Sequence, residues 1–143
     1  MAPNIFFTAD LHLGHSNIIK YCNRPFQTVE EMNEKLIQNW NDTVSDKDDI
    51  YVVGDFAFMG TKQTEEFLKQ LKGRKYLLRG NHDKSLNETM ALKYFKWIKD
   101  FVRLPGDTTR FPLAAVTAWL LKRTAKGKSL SCGICLEDAR QTL

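Results

Sequence analysis

Length, composition and charge place the chain among ordinary globular domains. Its 143 residues are 43% hydrophobic and 27% charged, which argues against disordered and fibrous proteins and predicts a single domain over residues 1–143. No apolar run is long enough to span a membrane, and the start of the chain lacks the features of a signal peptide, so we expect a cytoplasmic protein without membrane contact.

The net charge of +4 comes from the last part of the chain. Residues 101–143 hold seven basic and three acidic residues, whereas residues 1–100 are balanced. A solvated surface explains this excess better than a nucleic-acid patch, because Lys122, Arg123 and Lys126 are not interleaved with several aromatic residues. Nucleic-acid binding through this tail therefore stays a less favoured alternative.

The three cysteines are predicted to be reduced. Cys22 is far in sequence from Cys132 and Cys135, and an odd number does not suit a disulfide framework. Cys132 and Cys135 form a single CxxC, which alone is a weak signal for zinc binding or redox chemistry.

Alternating strand and helix signals predict an α/β fold that begins with a βαβαβ unit. Short apolar runs predict strands at residues 4–9, 50–53 and 75–79. Segments of helical periodicity separate them, so right-handed crossovers and a mostly parallel sheet are expected.

Three helices are predicted. Thr28 and Glu31 form a capping box for a helix that runs to about Val44. A second helix spans residues 61–72, with Gly73 in the position of a C-cap. A third is predicted over roughly residues 87–101, with its apolar side chains at helical spacing.

Each predicted strand ends in a polar cluster. Asp10 and His12 follow the first strand, Asp55 follows the second, and Asn81-His82-Asp83 follows the third. Neighbouring parallel strands lie about 5 Å apart, so these side chains are expected to converge on one site. Carboxylates that close together repel one another unless cations lie between them.

The histidines strengthen this prediction. All three in the chain, His12, His15 and His82, fall within these motifs. Carboxylate, imidazole and amide-oxygen ligands together suit a divalent metal such as Mn, Fe, Zn or Ni better than calcium.

In order and spacing, Asp10-x-His12, Gly54-Asp55 and the run from Gly80 to Asp83 resemble the first three motifs of the calcineurin-like metallophosphoesterase superfamily. The runs Asp-Leu-His-Leu-Gly-His and Gly-Asp-Phe-Ala resemble its small bacterial and phage phosphoesterase branch. The similarity covers residues 4–100 and implies a β-sandwich flanked by helices.

The resemblance also implies two divalent metal ions and hydrolysis of phosphomonoesters or phosphodiesters by a metal-bound hydroxide. Asp10 and His12 would hold the first ion, Asp55 would bridge both, and Asn81 would bind the second.

The remaining roles concern substrate. His82 would stabilise the phosphate oxygens or protonate the leaving alcohol, with Asp83 fixing its tautomer. For His15 we expect a contact with a metal ligand or with substrate.

The resemblance fades beyond residue 100. The family pattern continues with a later histidine and a Gly-His-x-His motif, but no histidine follows His82. Arg110 and the Cys132–Cys135 segment stand in the regions where those motifs are expected. We hypothesise that the C-terminal half is truncated or divergent because the chain is a truncated or frame-shifted version of a longer enzyme. A chain of this kind could oligomerise.

Two functions follow from these observations. The first is a metal-dependent phosphoesterase acting on a phosphate-ester substrate. The alternative is a catalytically impaired or inactive phosphoesterase scaffold that serves as a binding or interaction module.

Overall fold

The computed structural model describes residues 3–80, 83, 86, 88–99, 101–102, 111–112 and 137–138. Its helices are α1 (Ser16–Tyr21), α2 (Val29–Thr43), α3 (Thr61–Gln70) and α4 (Glu88–Tyr94). Its strands are β1 (Ile5–Ala9), β2 (Asp49–Val53), β3 (Arg74–Leu78), β4 (Phe95–Lys99), β5 (Phe101–Val102), β6 (Phe111–Pro112) and β7 (Glu137–Asp138). Among these residues, every helix is too short or too polar to cross a lipid bilayer.

The strands form one large sheet and one small one. The large sheet has the order β4-β3-β2-β1-β7, with four parallel strands and β7 added antiparallel beside β1. β5 and β6 pair antiparallel in a separate two-stranded sheet. The predicted α/β fold with a mostly parallel sheet is confirmed. The described part of the chain contains no further strand of a second sandwich sheet.

Alternation along the strands builds the core. One face of the sheet carries buried side chains such as Phe6, Ile50 and Leu77. They belong to the same apolar cluster as Met32, Leu36 and Trp40 of α2 and Leu68 of α3. Period-2 burial in the strands and helical spacing in α2 and α3 therefore give one continuous core behind the strand ends.

The start of α2 is fixed as its sequence predicts. The Thr28 hydroxyl accepts a hydrogen bond from the Glu31 amide at 3.2 Å. The Glu31 carboxylate accepts from the Gln27 amide at 2.9 Å, one residue earlier than in the usual capping box. Further along, the Trp40 indole donates to the Lys72 carbonyl at 2.9 Å, which holds α2 against the connection between α3 and β3.

Two features near these helices differ from the predictions. α3 ends at Gln70 with Leu71 as its C-cap, so Gly73 is not the cap. Gly73 instead has a φ of +83° in the turn before β3, where a side chain would collide with Ile50 and Val44. The short helix α1 was not predicted, because Ile18 is its one buried residue and leaves no periodic signal.

The third predicted helix was also wrong in its second half. It ends at Tyr94, and β4 begins at the next residue. Trp97 pairs in register with Tyr76 of β3, and their ring centroids lie 5.4 Å apart. The apolar residues of this segment have helical spacing, but the segment is aromatic and pairs with β3, so it forms a strand.

The prediction for the cysteines fails at Cys22, which is disulfide-bonded. Cys132 and Cys135 lie outside the described residues.

Candidate metal centre

Strands β1, β2 and β3 end at the same level. Ala9 is in register with Val53, and Val53 with Leu78. The chain continues this pairing beyond the strands: the Asp10 amide donates to the Gly54 carbonyl at 3.2 Å, and the Gly54 amide donates to the Leu78 carbonyl at 2.8 Å. The three polar clusters therefore begin side by side at one edge of the sheet.

Asp10, His12 and Asp55 meet at this edge. One ligand atom from each lies within 4.8 Å of the other two. The Nε2 atom of His12 is 3.6 Å from Oδ2 of Asp55. Two carboxylates and an imidazole at this spacing form a donor set that suits a divalent transition metal. These three residues could hold such an ion.

The backbone at this group is in an unusual conformation. Asp10, His12 and Asp55 have φ values of 50°, 52° and 42°, in the left-handed region that few residues other than glycine adopt. Each such residue costs about 1–3 kcal/mol, and residues of this kind concentrate at functional sites. Backbone hydrogen bonds hold the two loops together, including the one from the His12 amide to the Asp55 carbonyl at 2.9 Å.

The electrostatics of the group favour a cation. Burial raises the pKa of Asp10 to about 6, and the nearby Asp55 carboxylate contributes to this rise, whereas Arg24 lowers it. The Arg24 guanidinium is buried and donates to the backbone carbonyls of Asp10 at 2.8 Å and Leu11 at 2.9 Å. A bound divalent ion would offset the repulsion that Arg24 only partly relieves.

Asp83 ties the loop after β3 to the loop after β2. Its side chain is buried, and its two oxygens accept hydrogen bonds from the amides of Phe56 and Gly80, both at 2.8 Å. Burial raises the pKa of Asp83, while these hydrogen bonds lower it. Both carboxylate oxygens of Asp83 therefore hold the backbone around Asp55.

Gly80 is required by the same arrangement. A Cβ atom at this position would collide with the backbone nitrogen and Oδ1 of Asp55. The absence of a side chain at Gly80 therefore leaves the space that the Asp55 carboxylate occupies.

The other residues predicted from the third motif lie outside the described residues. They are Asn81 and His82. Their predicted roles, and the predicted contact between His82 and Asp83, stay predictions.

His15 lies against a member of the group. Its Nδ1 atom is 3.2 Å from Nδ1 of His12, and the two ring centroids are 5.3 Å apart. A hydrogen bond at Nδ1 of His12 leaves Nε2 on the side that faces Asp55. Such a bond on one ring nitrogen selects the tautomer and orients the other nitrogen towards a metal.

The sequence pattern does not indicate two residues of the centre. Arg24 holds the loop after β1, and Asn33 of α2 accepts a hydrogen bond from the Gly14 amide at 2.9 Å. Arg24 lies in a connector and Asn33 on a helix, and nothing in their local sequence pattern links either one to the strand ends. A buried charged or amide residue is recognised only once the fold is known.

Comparison with known proteins agrees with the geometry. The chain belongs to the calcineurin-like phosphoesterase family, whose family model matches residues 3–132. An uncharacterized protein of Methanocaldococcus jannaschii is 47% identical over 92 residues, which cover 63% of this chain and 52% of that protein. The Gene 66 protein of Mycobacterium phage L5 is 34% identical over 83 residues, which cover 56% of this chain and 40% of that protein.

A solved structure is also similar. The crystal structure of a protein of unknown function from Aquifex aeolicus aligns with a TM-score of 0.58 at 27% identity, covering 73% of this chain and 56% of that chain. The chain thus spans about half the length of the relatives that it matches.

Proposed function

We propose that this chain is a metal-dependent phosphoesterase that hydrolyses phosphomonoesters or phosphodiesters at a dinuclear metal site. The observation that carries the proposal is the convergence of Asp10, His12 and Asp55 at the carboxyl ends of parallel strands. Family membership also supports the proposal, because the family is described as calcineurin-like phosphoesterases.

The proposed metal ligands are residues at the strand ends. Asp10 and His12 would hold one divalent ion, Asp55 would be shared, and Asn81 would contribute to a second. Bound Mn, Fe, Zn or Ni would lower the pKa of coordinated water and neutralise charge on the phosphoryl oxygens. His15 supports this role by its contact with the far nitrogen of the His12 ring.

His82 is proposed to act on the substrate itself. It would stabilise the phosphate oxygens or donate a proton to the leaving alcohol. Its neighbours in sequence, Gly80 and Asp83, are both anchored beside Asp55. These contacts of Gly80 and Asp83 support a role for the third motif beside the proposed metal ligands.

A second candidate function is supported by Arg110 and the Cys132–Cys135 segment, which stand in the regions where the family pattern implies histidine motifs. With fewer donors than the family pattern implies, the second ion would be held mainly by Asp55 and Asn81. A scaffold that binds metal or a partner without turnover would have this composition.

One experiment separates the two functions. Hydrolysis of bis(4-nitrophenyl) phosphate with added Mn²⁺ is compared between the wild type and the Asp55→Asn and His82→Ala variants. Asp42→Asn is the matched control, because it makes the same chemical change on an exposed residue of α2. We expect His82→Ala to reduce the rate by at least about 100-fold, Asp55→Asn to abolish it, and the control to leave it unchanged.

The contrary outcomes are distinct. Hydrolysis that is unaffected by both site variants would exclude the proposed centre. Saturable Mn²⁺ binding without hydrolysis in the wild type would favour the scaffold.

A further inference from the structure

Exposed aromatic side chains lie next to the candidate metal centre. In the described part of the chain, four large apolar side chains are exposed, namely Ile5, Tyr21, Phe58 and Leu92. Two of these, Tyr21 at 75% and Phe58 at 49% exposure, have rings close to the same residue, His15. Single exposed apolar residues are common, but a pair around one histidine forms a patch.

This patch is continuous with a proposed metal ligand. The centroid of the His15 ring is 4.6 Å from that of Phe58, 6.3 Å from that of Tyr21 and 5.3 Å from that of His12. Phe58 therefore lies within the length of a nucleoside monophosphate of His12. A phosphate held at the metal centre could place a ring attached to it against Phe58.

The backbone around the patch is well fixed. The Phe58 amide donates to the Leu13 carbonyl at 2.8 Å, and Leu13 forms an isolated β-bridge with Ala57. Gly14, with a φ of +78°, lies so close to Met59 that a side chain at Gly14 would collide with it. The ring of Phe58 is thus presented from a segment tied directly to the loop that carries His12.

We propose that Tyr21, Phe58 and His15 form a subsite for a planar group of the substrate. The preferred substrates would then be phosphate esters that carry a nucleobase. Every base has a face that stacks on aromatic rings, and a half-exposed ring beside a phosphate site supplies such a surface. This inference rests on the proposed function, because it takes the phosphate to lie at the metal centre.

Calorimetry on the Mn²⁺-loaded protein tests the subsite. The ligands are AMP and ribose 5-phosphate in which a methylene group replaces the ester oxygen, so that the metal centre cannot cleave them; below they keep the names of the parent esters. They share the phosphorus group and the sugar and differ in the base. We expect the wild type to bind AMP about tenfold more tightly, which is the affinity expected from one base–aromatic stack. In the variant that combines Tyr21→Ala with Phe58→Ala this preference should disappear, while affinity for ribose 5-phosphate and Mn²⁺ is retained.

Single variants separate planarity from hydrophobicity. Phe58→Tyr keeps a flat ring and should keep the preference, whereas Phe58→Leu keeps an apolar side chain and should lose most of it. Leu92→Ala is the matched control, because it removes an exposed apolar side chain from α4 and should change nothing.

Equal binding of AMP and ribose 5-phosphate by the Mn²⁺-loaded wild type would overturn the subsite alone. A preference for AMP that survives in the combined variant would do the same. Failure of the wild type to bind Mn²⁺ would refute the proposed function and this inference with it.

Discussion

Replacing Asp10 with asparagine is expected to stabilise the metal-free protein at neutral pH and to prevent metal binding. Burial and the Asp55 carboxylate raise the pKa of Asp10 from 3.8 to about 6 in the folded state. The folded protein therefore holds this proton more tightly than the unfolded chain. The resulting stabilisation is fully present below a pH of about 4 and is lost as the pH rises through about 6. Above that pH, the ionised carboxylate destabilises the fold.

The size of the effect follows from the two pKa values. Their difference is equivalent to roughly 3 kcal/mol. Asp10 is only partly buried, so solvent screening is expected to leave about 1 kcal/mol. Asparagine has nearly the same shape as aspartate and carries no charge. The free energy of unfolding of the Asp10→Asn variant should therefore exceed that of the wild type by this amount at about pH 7.5.

Urea denaturation in EDTA, followed by tryptophan fluorescence, measures this difference. Most of it should vanish at about pH 4.5, where the folded wild type is protonated. Added Mn²⁺ should make the wild type the more stable of the two proteins. An ion at a hundredfold excess over its Kd stabilises the wild type by about 2.7 kcal/mol and the variant hardly at all. Asp42→Asn should behave as wild type throughout. An Asp10→Asn protein that is no more stable than wild type in EDTA at pH 7.5 would show that the ionised Asp10 carboxylate does not destabilise the metal-free fold.

Three further predictions concern the surroundings of the group. Asp83→Asn leaves a buried amide donor without its acceptor and should lower the free energy of unfolding by about 2 kcal/mol in urea denaturation; a loss below about 0.5 kcal/mol would show that Asp83 does not hold the loops after β2 and β3 together. Gly80→Ala should displace Asp55 and weaken Mn²⁺ binding in calorimetry, whereas Gly60→Ala, which meets nothing closer than 3.9 Å, should bind Mn²⁺ as wild type does. His15→Ala should lower Mn²⁺ affinity by about tenfold, and an unchanged affinity would show that its contact does not support the ligand.

The sequence predicted those parts of the fold that depend on local pattern. β1 to β3, α2 and α3 were found because burial repeats every second residue in the strands and at helical spacing in the helices. β4 was missed because Phe95 to Lys99 forms a strand only by pairing with β3, a contact that local spacing does not reveal. α1 was missed because one buried residue makes no pattern.

The convergence of the site residues was predictable from the sequence, but their backbone conformation was not. Strand-end position was enough to bring Asp10, His12 and Asp55 together, because parallel strands in register end at one edge. The left-handed backbone at these residues could not be predicted, since aspartate and histidine adopt it more often than most residues but still in a small minority of cases. The carboxylate of Asp83 also serves the backbone in a way that its motif does not reveal.

Titration of Mn²⁺ into the protein, with the free ion quantified by electron paramagnetic resonance, tests whether a metal centre lies at the ends of β1 and β2. We expect saturable binding by the wild type and by Asp42→Asn, and loss of that binding in Asp55→Asn. Binding by Asp55→Asn that matches the wild type would contradict a metal centre at these strand ends.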